Sequence, residues 1–188
     1  MCAFDRAKEI LLKKPDQYKK EELAWVAGIV DGEGSLCILK TRDLEYNSLR
    51  FYLIISVRMS CKKTILTLRD IFDIGRLYQM KNKIERNRDS YTWSLSSRWD
   101  CEYVLNLIYP YLVTKKKHAD IALQFLRNKK LISATKRPGN ILWNSLNDRQ
   151  INLFMQMQAL NKSGHRRYRD GPKLEKSSVI RRDLEVQN

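Results

Sequence analysis

The chain predicts a mixed α/β domain of the α+β type, with helices and antiparallel hairpins in the order α-β-β-α-β-β-α-α. Three observations carry this. Two pairs of segments alternate apolar and polar residues with the period of strands, each pair joined by a short polar or basic stretch. Segments with apolar residues at helical spacing precede and follow each pair. The length, 188 residues, suits one domain with a core of its own.

The elements follow in order. Residues 4–13 place Phe4, Ala7, Ile10 and Leu11 on one side of a short helix that Pro15 ends. Leu23 to Val30 then carries no polar side chain, so a helix here must be buried all round. Ala24, Ala27 and Gly28 form a stripe on which another backbone could approach closely, while Leu23, Val26 and Val30 seat in the chain's own core. Leu36 and Ile38 alternate with Ser35, Cys37 and Thr41 in a first strand. After the polar loop TRDLEYNS, Phe51, Leu53, Ile55 and Val57 mark a second. Lys62 to Asp73 reads as a helix with Ile65, Leu68 and Phe72 inward, ended by Gly75. Leu77 to Lys81 and Tyr91 to Ser96 form a second hairpin across KNKIERNRDS. Ser97 with Asp100 reads as a capping box for a helix carrying Trp99, Tyr103, Val104 and Leu107 and stopped by Pro110. Another helix starts near Lys115. Residues 129–146 read as a loop, and a last helix, capped near Asp148, turns Ile151, Phe154, Met157 and Leu160 inward. The division expected is an N-terminal extension over 1–20, a core over 21–130, a loop and C-terminal helix over 131–161 and a basic tail over 162–188, read as disordered without a partner or as an arm that orders on nucleic acid.

Charge narrows the partners. Lys and Arg number 36 against 21 Asp and Glu, a net charge of +15 spread along the chain, which points to a polyanion. No stretch approaches the roughly 18 apolar residues of a membrane span. The charged N-terminal stretch is unlike a secretory signal, so the expectation is an intracellular protein with no membrane partner. Cys2, Cys37, Cys61 and Cys101 lie far apart and read as free thiols, and His118 and His165 are too few for a histidine metal cluster.

The apolar helix ends in DGEGS. Asp31 and Glu33 stand at the C-terminal pole of that helix, where the macrodipole disfavours acids, and this suggests a cation. An EF-hand loop beginning at Asp31 would need glycine at Leu36 and a carboxylate at Arg42; a dinucleotide fingerprint would need a third glycine at Cys37. Both fail, and no GxxxxGK[ST] exists for nucleotide phosphates. Metal-assisted phosphodiester hydrolysis fits, with Mg²⁺ as first candidate. Lys115, Lys116 and Lys117 are likewise at the disfavoured pole of their helix; a solvated basic turn and a functional site both account for them.

Val26 to Gly34, VAGIVDGEG, resembles the LAGLIDADG signature of homing endonucleases and related intron maturases, with Ser35 continuing it. The likeness covers roughly Leu23 to Asn128. It implies an αββαββα domain with a four-stranded antiparallel DNA-binding saddle, here with an extra C-terminal helix. One signature per chain implies a homodimer, with Ala24, Ala27, Gly28 and Asp31 at or beside the seam. The implied activity is a metal-dependent double-strand break, with short 3′ overhangs, in a long near-palindromic double-stranded DNA site, serving intron or intein mobility. The implied metal is Mg²⁺, with Mn²⁺ or Ca²⁺ as other occupants. The alternatives are a maturase acting on its host intron RNA and an inactive DNA-binding regulator. A mitochondrial, chloroplast, phage, archaeal or bacterial host would be equally consistent.

Residue by residue, the resemblance gives Glu33 the metal-binding acid, the Gly32 carbonyl a supporting ligand and Asp31 a structural part. Tyr111 to Lys115 with Ala119 and Asp120 looks like the family's lysine-bearing segment, which puts Lys115 near the scissile phosphate. Where many members have a glutamine ending the second strand, this chain has Met59 and Ser60, with Lys62 and Lys63 as the following basic residues and Lys63 taken as catalytic. Strand parity puts Cys37, Thr41, Arg50, Tyr52, Ser56, Arg58, Arg76, Tyr78, Thr92 and Ser94 on a DNA-reading face, with Lys40, Arg42, Lys81, Lys83, Arg86 and Arg88 holding phosphates.

Overall fold

A computed structural model describes residues 15–43, 48–81, 88–135 and 141–169. The helix expected over 4–13 lies outside them. A single 3-10 turn, Pro15–Gln17, leads into α1, Lys20–Glu33, whose first turn carries Glu21 and Glu22 at the pole the macrodipole favours. Then come β1 (Gly34–Asp43), β2 (Ser48–Met59), α2 (Lys62–Phe72), β3 (Arg76–Met80), β4 (Ser90–Leu95) and α3 (Arg98–Ile108). A 3-10 turn, Tyr109–Tyr111, contains Pro110 and precedes α4 (Lys116–Thr135) and α5 (Ile141–Arg169). The first hairpin is longer than its alternation suggested: its strands reach Asp43 and Ser48, inside the expected polar loop.

The sheet is four-stranded and antiparallel in the order β1-β2-β4-β3. Its two hairpins meet through β2 and β4, where Ile55 to Met59 pair with Leu95 to Tyr91. The expected parity holds: Leu36, Ile38, Phe51, Leu53, Ile55, Val57, Trp93 and Leu95 are buried in one core with α1 to α5. Trp93 is the centre of one half, stacked on Phe72 at 6.0 Å and donating its indole N–H to the Ile74 carbonyl at 2.8 Å. Gly75, at φ +95°, leaves room for it, since a Cβ there would stand 2.4 Å from the Trp93 Nε1.

Several local expectations change. The terminator of α2 is Asp73, in the left-handed conformation at φ 53°; Gly75 comes later and serves the Trp93 contact. Ser97 is the N-cap of α3 without a side-chain cap bond, so no capping box forms. Within the loop expected over 129–146, residues 129–135 are the end of α4 and residues 141–146 the start of α5, while 136–140 lie outside the described residues. Among the described side chains of α5 the buried ones are Gln150, Leu153 and Met157, with Ile151 and Phe154 at the margin of the core. Past Lys162 the helix continues to Arg169, so the first part of the expected disordered tail is helical; the rest lies outside the described residues.

α5 is tied to the first hairpin, to β2 and to the outermost strand β1. Phe154 packs on Phe51 with ring centroids 5.2 Å apart, and Asn161 donates to the Leu36 carbonyl at 3.2 Å. An edge strand that would offer open backbone groups to another chain is thus partly covered. Among the described residues no helix is long and apolar enough to cross a membrane. The helices gather, among the described residues, on the buried face of the sheet, and none packs on the opposite face.

Candidate active site and nucleic-acid surface

The site is built where two helix ends meet. Asp31, in the last turn of α1, accepts the Val113 N–H at 2.7 Å and the Lys115 N–H at 2.8 Å, both just before α4 begins. The Lys115 ammonium donates back to the Asp31 carbonyl, one of the last four of α1 and therefore without a helical partner. Each charge stands at the unfavourable pole of its own helix and at the favourable pole of its neighbour's. Asp31 thereby acts as an N-terminal cap for α4 supplied from another element, and its position requires no cation. This revises the inference from pole placement, which now bears on Glu33 alone.

Burial lowers the pKa of Lys115 below the usual lysine range, while the carboxylates of Asp31 and Glu33 act in the opposite direction. Glu33 is therefore within electrostatic reach of Lys115. It is exposed, as the last residue of α1, and the chain leaves it through Gly34, whose N–H caps the helix on the Val30 carbonyl. Only glycine fits at 34, since a Cβ would lie 2.4 Å from that carbonyl oxygen. Gly34 pairs with Val57, next to Arg58, and this pairing opens a cleft of about 290 Å³ lined by Glu33, Arg58, Met59, Ser60 and Ser90.

Met59 and Ser60, where resemblance looks for a glutamine, thus do border the acid. Ser90 was missed because a lone serine at a strand start carries no pattern. Gly32 is exposed beside Glu33. Lys63 is exposed in the first turn of α2 and is not among the residues lining the cleft; with the Thr64 hydroxyl and backbone N–H as the larger causes, it helps lower the pKa of Cys61. Lys116 lies over the Tyr109 ring at 5.2 Å, and Lys117 is exposed. His118, one turn into α4, is half-buried; burial, with Lys115 nearby, lowers its pKa against an opposing hydrogen bond that the ring donates to Asn161.

The stripe on α1 is not the one expected. Ala27 is fully buried, 0% exposed, within its own chain, because Leu23, Val26, Ala27 and Val30 together make the inward face. The exposed face carries Ala24, Gly28 and Gly32, a step of one turn each, with Trp25 39% exposed beside them. A Cβ at Gly28 or Gly32 would meet nothing within 4 Å.

On the open face of the sheet, Thr41, Arg50, Arg58, Arg76 and Tyr78 are exposed, and Cys37, Tyr52, Ser56 and Ser94 half-buried. Lys40, Lys81 and Arg88 are exposed at its margins. Arg42 lies in β1, and Lys83 and Arg86 fall outside the described residues. Thr92 is a correction: at 7% exposed it is covered, and it accepts from the Arg58 Nε at 3.2 Å. Cys37 is hemmed by the Ser35 hydroxyl at 3.1 Å and by the Asn161 amide at 3.5 Å. The polar-only reading also missed Leu39 and Met80, exposed apolar side chains whose parity was available in the sequence. Such residues suit thymine methyl groups in a major groove.

A family model described as LAGLIDADG endonuclease matches residues 26–126. No curated protein matches the chain. Among solved structures, the chain is similar to the archaeal intron-encoded homing endonuclease I-Vdi141I complexed with DNA, at 14% identity over 76% of this chain and 85% of that one, with a TM-score of 0.60. It is similar to the homing endonuclease I-TnaI at 17% identity, over 82% and 97% of the two chains, TM-score 0.56. It also resembles the homing endonuclease I-CvuI in complex with a DNA target in the presence of Mg, at 17% identity over 71% and 95%, TM-score 0.50. At such identities these likenesses concern the fold.

Proposed function

The chain belongs to the LAGLIDADG endonuclease family, and on that premise we propose that it is a site-specific homing endonuclease cutting both strands of a long, near-palindromic DNA with the help of a divalent cation. The observation that carries the reading is the exposed Glu33 carboxylate beside Lys115, at the end of α1 and at one end of an open, basic sheet face.

Its donors are chemically suited to a hard cation. The Glu33 carboxylate and the Gly32 main-chain carbonyl would hold it, Mg²⁺ first, with Mn²⁺ or Ca²⁺ as alternatives. When bound, such an ion supplies charge neutralisation to the phosphate oxygens. The chain's own residues do the rest. Arg50, Arg76, Tyr78 and their neighbours lay the duplex along the sheet. Lys115 stabilises the charge that develops as water adds to phosphorus and the 3′ oxygen leaves. Among the described residues no group of three or more His, Cys, Asp or Glu could hold a metal within one chain. Two copies meeting through the exposed Ala24, Gly28 and Gly32 face of α1 would bring two Glu33 carboxylates to one two-fold axis, one for each strand.

The test uses duplexes selected from a randomised library by the wild-type protein in Ca²⁺. In Mg²⁺ these are cut by the wild type, whereas Glu33→Gln binds them and cuts at least 10²-fold more slowly, on the order expected for loss of an essential group. Equal cutting by both proteins refutes the nuclease reading. Sedimentation at micromolar concentration gives a dimer, and Gly28→Leu, which fills the exposed stripe, gives a monomer.

A further inference from the structure

We propose that Arg58 binds the scissile phosphate and takes over the electrophilic part of the site where the chain carries Met59 and Ser60. This rests on the nuclease reading above and deepens it.

Arg58 is the penultimate residue of β2, adjacent to the Val57–Gly34 pair through which β1 leaves Glu33. It faces Thr92 directly across the β2–β4 ladder, and Tyr78 stands on the far side of Thr92 in the same row. A cross-strand bond from its Nε to the covered Thr92 hydroxyl, 3.2 Å long, fixes the guanidinium against the floor of the sheet. That bond uses one donor. The two terminal nitrogens keep the paired N–H geometry that matches two phosphate oxygens.

Position decides what this fork meets. The cleft of about 290 Å³ is lined by both Glu33 and Arg58, and among the described residues Arg58 is the cation of its lining. Met59 offers a thioether and Ser60 a single short hydroxyl, neither of which can neutralise a phosphate. Lys63, exposed in the first turn of α2, is not among the residues that line it. A phosphate brought to Glu33 therefore enters the volume that the tethered guanidinium commands. A base-reading arginine needs freedom to reach base edges; a side chain pinned at Nε beside the acid is better placed for the backbone.

Binding in Ca²⁺ to the selected duplexes, over a range of salt, separates the two roles without cleavage. Arg58→Ala lowers the slope of log K against log salt by about 0.9 per subunit and leaves the preferred sequence unchanged. In Mg²⁺ its single-turnover cutting falls about 10²-fold. Arg58→Lys restores the slope and only part of the rate, because an ammonium is a point charge without the fork. Thr92→Val keeps the slope and slows cutting about tenfold, on the order of one lost orienting bond. An unchanged slope with relaxed preference at one base pair makes Arg58 a base reader and overturns the assignment. So does wild-type cutting by Arg58→Ala while Glu33→Gln is inert, a result that leaves the nuclease reading standing. If Glu33→Gln cuts like the wild type, the nuclease reading falls and this assignment with it.

Discussion

Lys115 immediately precedes α4 and Lys129 lies within its second half, and both are partly buried lysines whose ammonium donates to a backbone carbonyl. Burial is the first cause lowering the pKa of each. Their surroundings differ. Lys115 has the carboxylates of Asp31 and Glu33 beside it, acting against the shift, and stands at the site. Lys129 has Arg98 and Arg50 near it, adding to the shift, and donates to the Phe51 carbonyl at 2.8 Å, on the part of β2 that runs past the end of β4. One lysine is available to chemistry; the other closes a backbone ladder. Residue type and burial alike would have ranked them equally, and only the sign of the neighbouring charge separates them.

The widest separation between the two lies in activity. Lys115→Met is expected to slow single-turnover cutting of the selected duplexes by about 10²–10³-fold, the range for losing one group that stabilises transition-state charge. Lys129→Met is expected to cut at the wild-type rate, and comparable losses in both would abolish the distinction. Stability gives the next effect. Asp31→Ala strands two backbone donors at the start of α4 and should cost about 2–3 kcal/mol in urea unfolding, against less than about 1 kcal/mol for Lys115→Met. Equal costs would mean that the lysine, not the aspartate, holds the helix ends together.

The smallest effect is in pH. A lysine with a lowered folded pKa binds fewer protons when folded than when unfolded, between that pKa and its usual value, so stability rises with pH across that window. Lys129→Met should flatten the rise on the alkaline side, below the usual lysine pKa, more than Lys115→Met does, since the carboxylates near Lys115 offset its shift. Above about pH 10 the raised tyrosines Tyr18 and Tyr109 pull the other way and must be kept out of the comparison. A larger flattening in Lys115→Met would show that burial outweighs the neighbouring acids there.

Much of this architecture was legible in the residues. Strand alternation from Phe51 to Val57 and from Tyr91 to Leu95 named the buried face correctly, because a period of two leaves no freedom once one face is apolar. The signature located Glu33. Ala27 was misassigned because in a helix apolar all round, periodicity cannot tell the face turned to the chain's own core from the one left open. The connection over 129–146 was misread because Lys, Arg, Pro and Gly within it resemble a loop while its ends are helical. Thr92 looked like a reader because parity reports the face of a strand and not what the neighbouring strand lays over it.

By itself the sequence determined the four strands and their inward face, the apolar helix α1 with the acid at its end, and the family. Only the tertiary structure decided that Asp31 caps α4, that Lys115 returns a bond to α1, that Arg58 is pinned by Thr92 beside Glu33 and that α5 covers β1. Asp31 and Lys115 are 84 residues apart, and Arg58 and Thr92 are 34 apart. Local patterns report what each segment prefers. The compensation of one helix pole by another exists only once packing has brought two remote segments within a few ångströms, where charge and hydrogen bonding act.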